Sequence, residues 1–254
     1  MTPANRSGAI AFLAVVAAGA GYYVWKQHER PSAPPTAPAT PQAAPATAPI
    51  ASPVTQPDGA ISTTDAGLAV EIATQLGFSA LPDFVYPDGV IRRFVATVDA
   101  LPREQLPFAV RVLRPMAGTF AAEGGEEHPS VARANAARYA RVVDGFEHVP
   151  PAAAGELYQR LYPRFQQSFE ELGFAGRSFH TRLLAVIDNL LAAPDAADAT
   201  PLARPKVLFL YADPALEGCS AGQKALLRSG ARNEARLKAQ LRRLRAEIAS
   251  RPPR

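Results

Sequence analysis

The sequence predicts a mainly α protein: a single helical domain with a small β element at residues 61–250, preceded by one transmembrane helix at 8–25 and a disordered Pro/Ala spacer at 26–60. Short tails at 1–7 and 251–254 complete the chain. Three observations lead there. Residues 8–25 contain no charged side chain, residues 31–57 hold nine prolines and eight alanines, and beyond residue 61 apolar residues recur at helical rather than alternating spacing.

An 18-residue helix at about 1.5 Å per residue spans roughly 27 Å, close to the hydrocarbon thickness of a bilayer. Tyr22, Tyr23 and Trp25 stand where an aromatic belt lies, and Lys26 can snorkel to the headgroups. A cleaved signal peptide is the rival reading, because Ala18, Gly19 and Ala20 resemble a cleavage site. Yet the basic lead-in is Arg6 alone and the apolar run continues past that site, so a retained span is expected. No cysteine follows the run, which excludes lipoprotein processing. Counting Arg6 against Lys26 and Arg30 favours a cytoplasmic C-terminus. We nevertheless expect a single-pass protein of the bacterial inner membrane with its C-terminal domain in the periplasm. A seven-residue tail is simple to leave inside, and a Pro/Ala tract suits a spacer leading outward. That tract cannot bury enough apolar surface to offset its ordering entropy, and in polyproline geometry it reaches at most roughly 80 Å. The lone Cys219 forms no internal disulfide and fits either compartment.

The remaining stretch is long enough for its own core. Residues 62–76 form the first predicted helix, capped by Ser62 or Thr64, carrying Leu68, Ile72 and Leu76 on one face and ending at Gly77. In residues 87–101, Val90, Ile91, Phe94, Val98 and Leu101 share a face, leaving Arg92 and Asp99 together on the other. Residues 130–146 are a third helix. Residues 152–172 are a fourth, striped by Leu157, Leu161, Phe165, Phe169 and Leu172, with Pro163 expected to kink or split it. Residues 178–192 are a fifth, intensely apolar. Extended structure is scarce: 207–211 reads as a strand, and 108–122 has room for one or two more. Asp213 caps a short turn opened by Pro214, and Ser220 with Gln223 has capping-box spacing before a helix that stops at Gly230. Residues 231–249 repeat Leu237, Leu241, Leu244 and Ile248, a narrow stripe that packs a terminal helix on its own domain.

Several segments carry a resemblance: IRRFVATVD (91–99), NAARYARVV (135–143), LYPRFQQSFEELGF (161–174), RLLAVIDNLL (182–191), RPKVLFLYADPALE (204–217) and SAGQKALLRSG (220–230). In these the chain resembles an uncharacterised bacterial family, domain of unknown function 3014. Its members look like single-span anchors with a low-complexity spacer and one such domain. The resemblance implies one domain over 61–248 and no particular activity.

The sequence holds no strong catalytic signature. Gly218-Cys219-Ser220-Ala221-Gly222 fits G-x-S-x-G, but no strand leads directly into it and no histidine follows His180, so Ser220 reads as a helix cap. Glu126, Glu127 and His128 are adjacent in a loop, without metal-ligand spacing, and His148 and His180 are isolated. No phosphate loop occurs, and no metal or cofactor is expected. Polar residues beside aromatic ones are the candidate binding groups: Arg138 with Tyr139, Tyr158 with Tyr162, and Lys206, Tyr211 and Asp213 around the strand. They serve equally well as a core edge. Arg92 with Asp99 forms another candidate pair, and Asp188, if buried, requires a cation such as Arg92, Arg93 or Arg182. Charge is uneven. Residues 202–254 carry 12 Lys and Arg against 4 acids, a net +8 within a chain of net +4. Arg242, Arg243 and Arg245, beside or opposite the leucine stripe, are its candidate contacts for anionic headgroups or an acidic partner. Nucleic acid is not expected, since no aromatic follows Tyr211 to stack bases. The expected function is a tethered periplasmic domain binding an envelope protein or anionic polymer, held to the inner membrane through 8–25. The alternative is a hydrolase-like envelope enzyme using Asp99, Asp188 and Asp213.

Overall fold

The computed structural model describes residues 65–205 and 208–253. The expected span, the spacer, the Ser62 and Thr64 caps and Lys206 lie outside those residues, and among the described ones no helix is long and apolar enough to cross a membrane. Helix follows helix: α1 (Asp65–Leu76), α2 (Leu81–Phe84) and α3 (Val90–Ala100), then a two-stranded ribbon β1 (Ala122–Glu123) and β2 (Ser130–Val131). Next come α4 (Ala134–Glu147), α5 (Pro151–Phe169) and α6 (Phe179–Leu191), a second ribbon β3 (Leu202–Ala203) and β4 (Leu210–Tyr211), then α7 (Pro214–Glu217), α8 (Ala221–Arg228) and α9 (Ala231–Ser250). The protein is mainly helical with two small antiparallel ribbons.

The apolar stripes explain the packing. Leu68, Ile72 and Leu76 of α1, Phe94 and Val98 of α3, Leu161 and Phe165 of α5, Val186 and Ile187 of α6 and the α9 leucines share one core. Helix α1 ends where Gly77 takes φ 62°, a left-handed turn that residues with a Cβ adopt only with strain. A smaller cluster of Leu202, Tyr211, Cys219 and Leu227 sits under the ribbons.

Three expectations are corrected. The third helix starts at Ala134 rather than residue 130, because Ser130 and Val131 are held extended on both sides: Ala122 pairs with Val131, Val131 N–H donates to the Thr200 carbonyl at 2.9 Å, and Leu202 N–H donates to the Pro129 carbonyl at 2.7 Å. Pro163 does not split its helix, for α5 runs from Pro151 to Phe169 with Pro163 on its exposed side, where water can serve the carbonyl that the ring leaves without an N–H. The chain changes course later, through a wide π turn at Glu170–Phe174 in which Gly173 has φ 97°. Of the expected strand at 207–211, residue 207 lies outside the described residues and 208–211 hold a strand at Leu210–Tyr211 alone, while the 108–122 segment offers a 3-10 turn at Phe108–Val110 and the first residue of β1.

The last helix is the central strut of the domain, not an appendage. It packs against α4, α5, α6 and α8, and besides its leucines it buries Asn233, Glu234, Lys238 and Gln240. Each of these binds a connecting segment or the strut's own approach. Asn233 Nδ2 donates to the carbonyls of Ala136 and Ser229, Gln240 Nε2 to Val149 and Lys238 Nζ to Ala193, while Glu234 accepts from the Ala196 N–H. Each side-chain donor named meets a main-chain carbonyl and Glu234 meets a main-chain N–H, and a buried polar group left without such a partner would cost about 1–3 kcal/mol.

Helix α8 begins with the expected capping box: Ser220 Oγ accepts from Gln223 N–H at 3.3 Å and Gln223 Oε1 from Ser220 N–H at 3.0 Å. Its next two N–H groups donate to the Arg103 and Leu101 carbonyls at 2.7 and 2.9 Å, so this helix start fixes the turn that follows α3. Gly222 makes the approach possible, since a Cβ there would stand 2.5 Å from Leu190 Cδ2. Replacing Ser220 with alanine should lower stability by about 1 kcal/mol, read as a fall of about 2–4 °C in the melting temperature. An unchanged melting curve would show that the carbonyls of Leu101 and Arg103 suffice without the box.

A candidate binding cleft rimmed by arginine

Where α3 ends, α5 turns through the π segment into α6, and an open cleft of about 490 Å³ lies between them. Three guanidinium groups and one carboxylate face it, Arg103, Arg177 and Arg182 with Asp99, and Phe169, Phe174 and Ala185 supply an apolar wall. Volumes of about 300–1,000 Å³ are usual for small-molecule sites.

Asp99 organises the charged side. It is only 5% exposed, because nine of the eleven residues of α3 are buried beneath its neighbours. The helix has almost no solvent face, and the expected surface pairing of Asp99 with Arg92 is therefore corrected. The Arg92 side chain is exposed and makes no hydrogen bond or ion pair among the described residues, whereas Asp99 accepts from Arg182 Nε at 3.0 Å and pairs with Arg103 one helical turn ahead. Arg182 also donates from Nη2 to the Asp99 carbonyl at 2.8 Å. The three residues form a clamp between α3 and α6.

The corner that carries Arg177 is set by its own main chain. Gln166 Nε2 donates to the Arg177 carbonyl at 2.8 Å, the Arg177 N–H donates to the Phe174 carbonyl at 3.1 Å, and Gln166 Oε1 accepts from the Phe179 N–H at 2.9 Å. Ser178 then caps α6 by accepting from the Thr181 N–H. Thus the Arg177 backbone is held while its side chain is exposed and makes no hydrogen bond or ion pair among the described residues. Behind the cleft, Phe174 stacks on Phe169 with ring centroids 4.5 Å apart and planes at 14°.

The other candidate residues lie elsewhere. Arg138 is a loop clamp, donating to the carbonyls of Ala117 and Gly118 at 3.0 Å, with its guanidinium carbon 5.8 Å from the Tyr139 ring centre. Tyr139 is buried, and burial pushes its hydroxyl upward. Tyr158 is 1% exposed and meets the Tyr162 ring edge-on at 5.7 Å. Its hydroxyl, pushed far up by burial, lies 3.2 Å from His180 Nδ1, and burial lowers that imidazole. Tyr162 donates to Gln166 Oε1 at 3.0 Å, so it braces the same corner as Arg177. Tyr211 is buried, its hydroxyl pushed up to about 12 by burial with Arg228 opposing. Asp213 caps α7 by accepting from the Ala215 N–H at 2.8 Å. Lys206 is outside the described residues.

Asp188 is exposed rather than buried, and its partner is none of the three arginines expected. Arg245 of α9 grips it through Nε and Nη2, which holds the carboxyl below its ordinary range. Arg182 is occupied by Asp99, and Arg93 by the Asp88, Ala109 and Arg111 carbonyls. The three acids named for a hydrolase-like site therefore do not converge: Asp99 is in the cleft, Asp188 is on α6 where it pairs with Arg245 of α9, and Asp213 is at a cap. The basic end also differs from a free cationic face. Lys224 pairs with Glu217, Arg236 with Asp144 and Glu147, Lys238 with Asp195 and Glu234, and Arg245 with Asp188, while Arg242 and Arg243 stay exposed. Ser220 Oγ lies 3.0 Å from Asn189 Oδ1 and has a capping role. Among the described residues no group of three His, Cys, Asp or Glu could hold a metal ion.

Sequence reading missed the cleft. The i, i+4 spacing of Asp99 and Arg103 was a visible signal, but nothing local announces that Arg177 faces Arg103 across a corner.

Fold and site together define a mainly helical domain, built around its own last helix, with a cationic cleft where two core helices meet. The family model described as "Protein of unknown function (DUF3014)" matches residues 90–245, and the chain belongs to that family. No curated protein and no solved structure matches it.

Proposed function

We propose that this is a membrane-tethered periplasmic binding domain that takes an anionic group of an envelope partner into the arginine-rimmed cleft. The observation that carries the reading is the side chain of Arg177, exposed on a braced main chain beside Arg103 and Arg182, while a single carboxylate lines the same cleft. Arginine forks suit carboxylate and phosphate oxygens, and preorganised donors lose less entropy on binding. The tether rests on the uncharged run at 8–25, and the periplasmic side on the Pro/Ala spacer after it, a tract suited to carrying a domain away from the inner membrane.

Two arms test the proposal. Alkaline phosphatase fused after Arg254 should be active, and an inactive fusion beside a fluorescent cytoplasmic reporter would reverse the orientation. In membranes, a photo-crosslinking residue at Thr181 should give a discrete adduct that is absent from position 70, on α1, and lost in Arg177→Glu. Equal adducts at the two positions, or one indifferent to Arg177→Glu, would refute binding at the cleft.

A further inference from the structure

Resting on that reading, we infer that the cleft selects a phosphate monoester carried on an apolar, flat or acyl, body. The cationic side and the apolar wall ask for two different parts of one ligand. Three guanidinium charges against the single Asp99 carboxylate leave a surplus of two positive charges, matching the nearly dianionic state of a phosphate monoester near neutral pH. The guanidinia come from three places, the turn after α3, the α5–α6 corner and the first turn of α6, so they surround a ligand instead of presenting one fork. A planar carboxylate fills one fork; a tetrahedral phosphoryl group presents three oxygens and can engage donors from several directions.

The arginines are not equivalent. Arg182, 34% exposed at its side chain, is committed to Asp99 through both its side-chain and main-chain oxygens, and serves to hold the floor. Arg103 is 58% exposed and touches Asp99 through Nη2, leaving further N–H donors for a ligand. Arg177 brings all five of its donors. Arg103 and Arg177 are therefore the two recognition groups, with Arg182 the positioning residue behind them. The Phe169–Phe174 stack and Ala185 line the same cleft, where they cover the apolar body and exclude water from the ion pairs.

Calorimetric titration of the full chain in a neutral detergent provides the test, with phenyl phosphate, inorganic phosphate and benzoate as probes. Phenyl phosphate should bind at least about tenfold more tightly than either of the others, a difference of about 1.4 kcal/mol. Arg177→Ala should weaken phenyl phosphate by about tenfold or more, and Arg177→Lys, which keeps the charge and loses the fork, should fall between. Because that side chain is exposed and makes no hydrogen bond or ion pair among the described residues, the melting temperature of each variant should match the parent. Full-chain protein in phosphatidylcholine nanodiscs, with and without phosphatidic acid, separates the two sources: loss of phenyl phosphate binding in the doped discs assigns the site to a lipid phosphate, and retention to a soluble one. Equal affinity for benzoate, equal affinity for inorganic phosphate, or indifference to Arg177→Ala would each overturn the assignment. A Thr181 adduct that persists when phenyl phosphate fails to bind would leave the cleft as a binding site and reject this ligand class alone.

Discussion

Replacing Lys238 with methionine is expected to lower the stability of the domain by about 3–5 kcal/mol, because it removes one partner of a buried ion pair and strands the other. The Lys238 and Glu234 side chains are 6% and 3% exposed, and their charged atoms lie 2.7 Å apart one turn along α9. Lys238 Nζ also donates to the Ala193 carbonyl at 2.7 Å and to Asp195 at 2.8 Å, so the substitution releases the 193–196 segment from the strut as well. Adding Glu234→Gln should recover more than about 1 kcal/mol, since it removes the stranded charge yet keeps an acceptor for the Ala196 N–H. Urea unfolding of the two variants measures both numbers, and a Lys238→Met protein within about 1 kcal/mol of the parent would show that the pair is solvated in solution. The pH dependence has a definite sign. Burial pushes the ammonium of Lys238 down, the hydrogen bonds it donates to Asp195 and Glu234 outweigh that, and the balance lies above the ordinary 10.5. A raised folded value means that this stabilisation is complete below about 10.5 and is lost as pH rises through the folded value. The parent should therefore lose stability in alkali more steeply than Lys238→Met.

Phe165→Ala is expected to cost about 3–5 kcal/mol, a fall in melting temperature of about 6–20 °C for a domain of this size. Phe165 is fully enclosed by aromatic neighbours, with ring centroids 5.0 Å from Phe94, 5.6 Å from Phe179 and 5.9 Å from Tyr158. Those rings join α3, α5 and α6, so the cavity would open between the helices that form the cleft. Phe165→Leu keeps most of the volume and should cost about half as much, and thermal melting separates the two. A loss under about 1 kcal/mol for Phe165→Ala would mean that the neighbours collapse into the space. Ligand binding gives a second readout: the wall formed by Phe169 and Phe174 rests on this cluster through Phe179, 5.6 Å from Phe169, so phenyl phosphate affinity should fall in Phe165→Ala while Arg177 is intact.

What the sequence determined by itself is local. Gly77 ends α1, Asp213 and Ser220 cap their helices, and the leucine stripe of α9 faces inward, because each depends on groups within a few residues of one another. The family, too, was legible in segments that are local runs. What only the tertiary structure decided is which face of a helix remains a surface. Periodicity placed Asp99 opposite the apolar stripe, but α3 is covered on nearly every side, and a carboxylate so covered needs cations from elsewhere. The same physics placed Lys238 and Glu234 inside, moved Asp188 out to meet Arg245, and brought Arg177 to Arg103 across a corner made by Gln166. Contacts between residues eighty or more positions apart, such as Arg182 with Asp99, leave no periodic trace, since the partner is chosen by how helices pack and not by what stands one turn away.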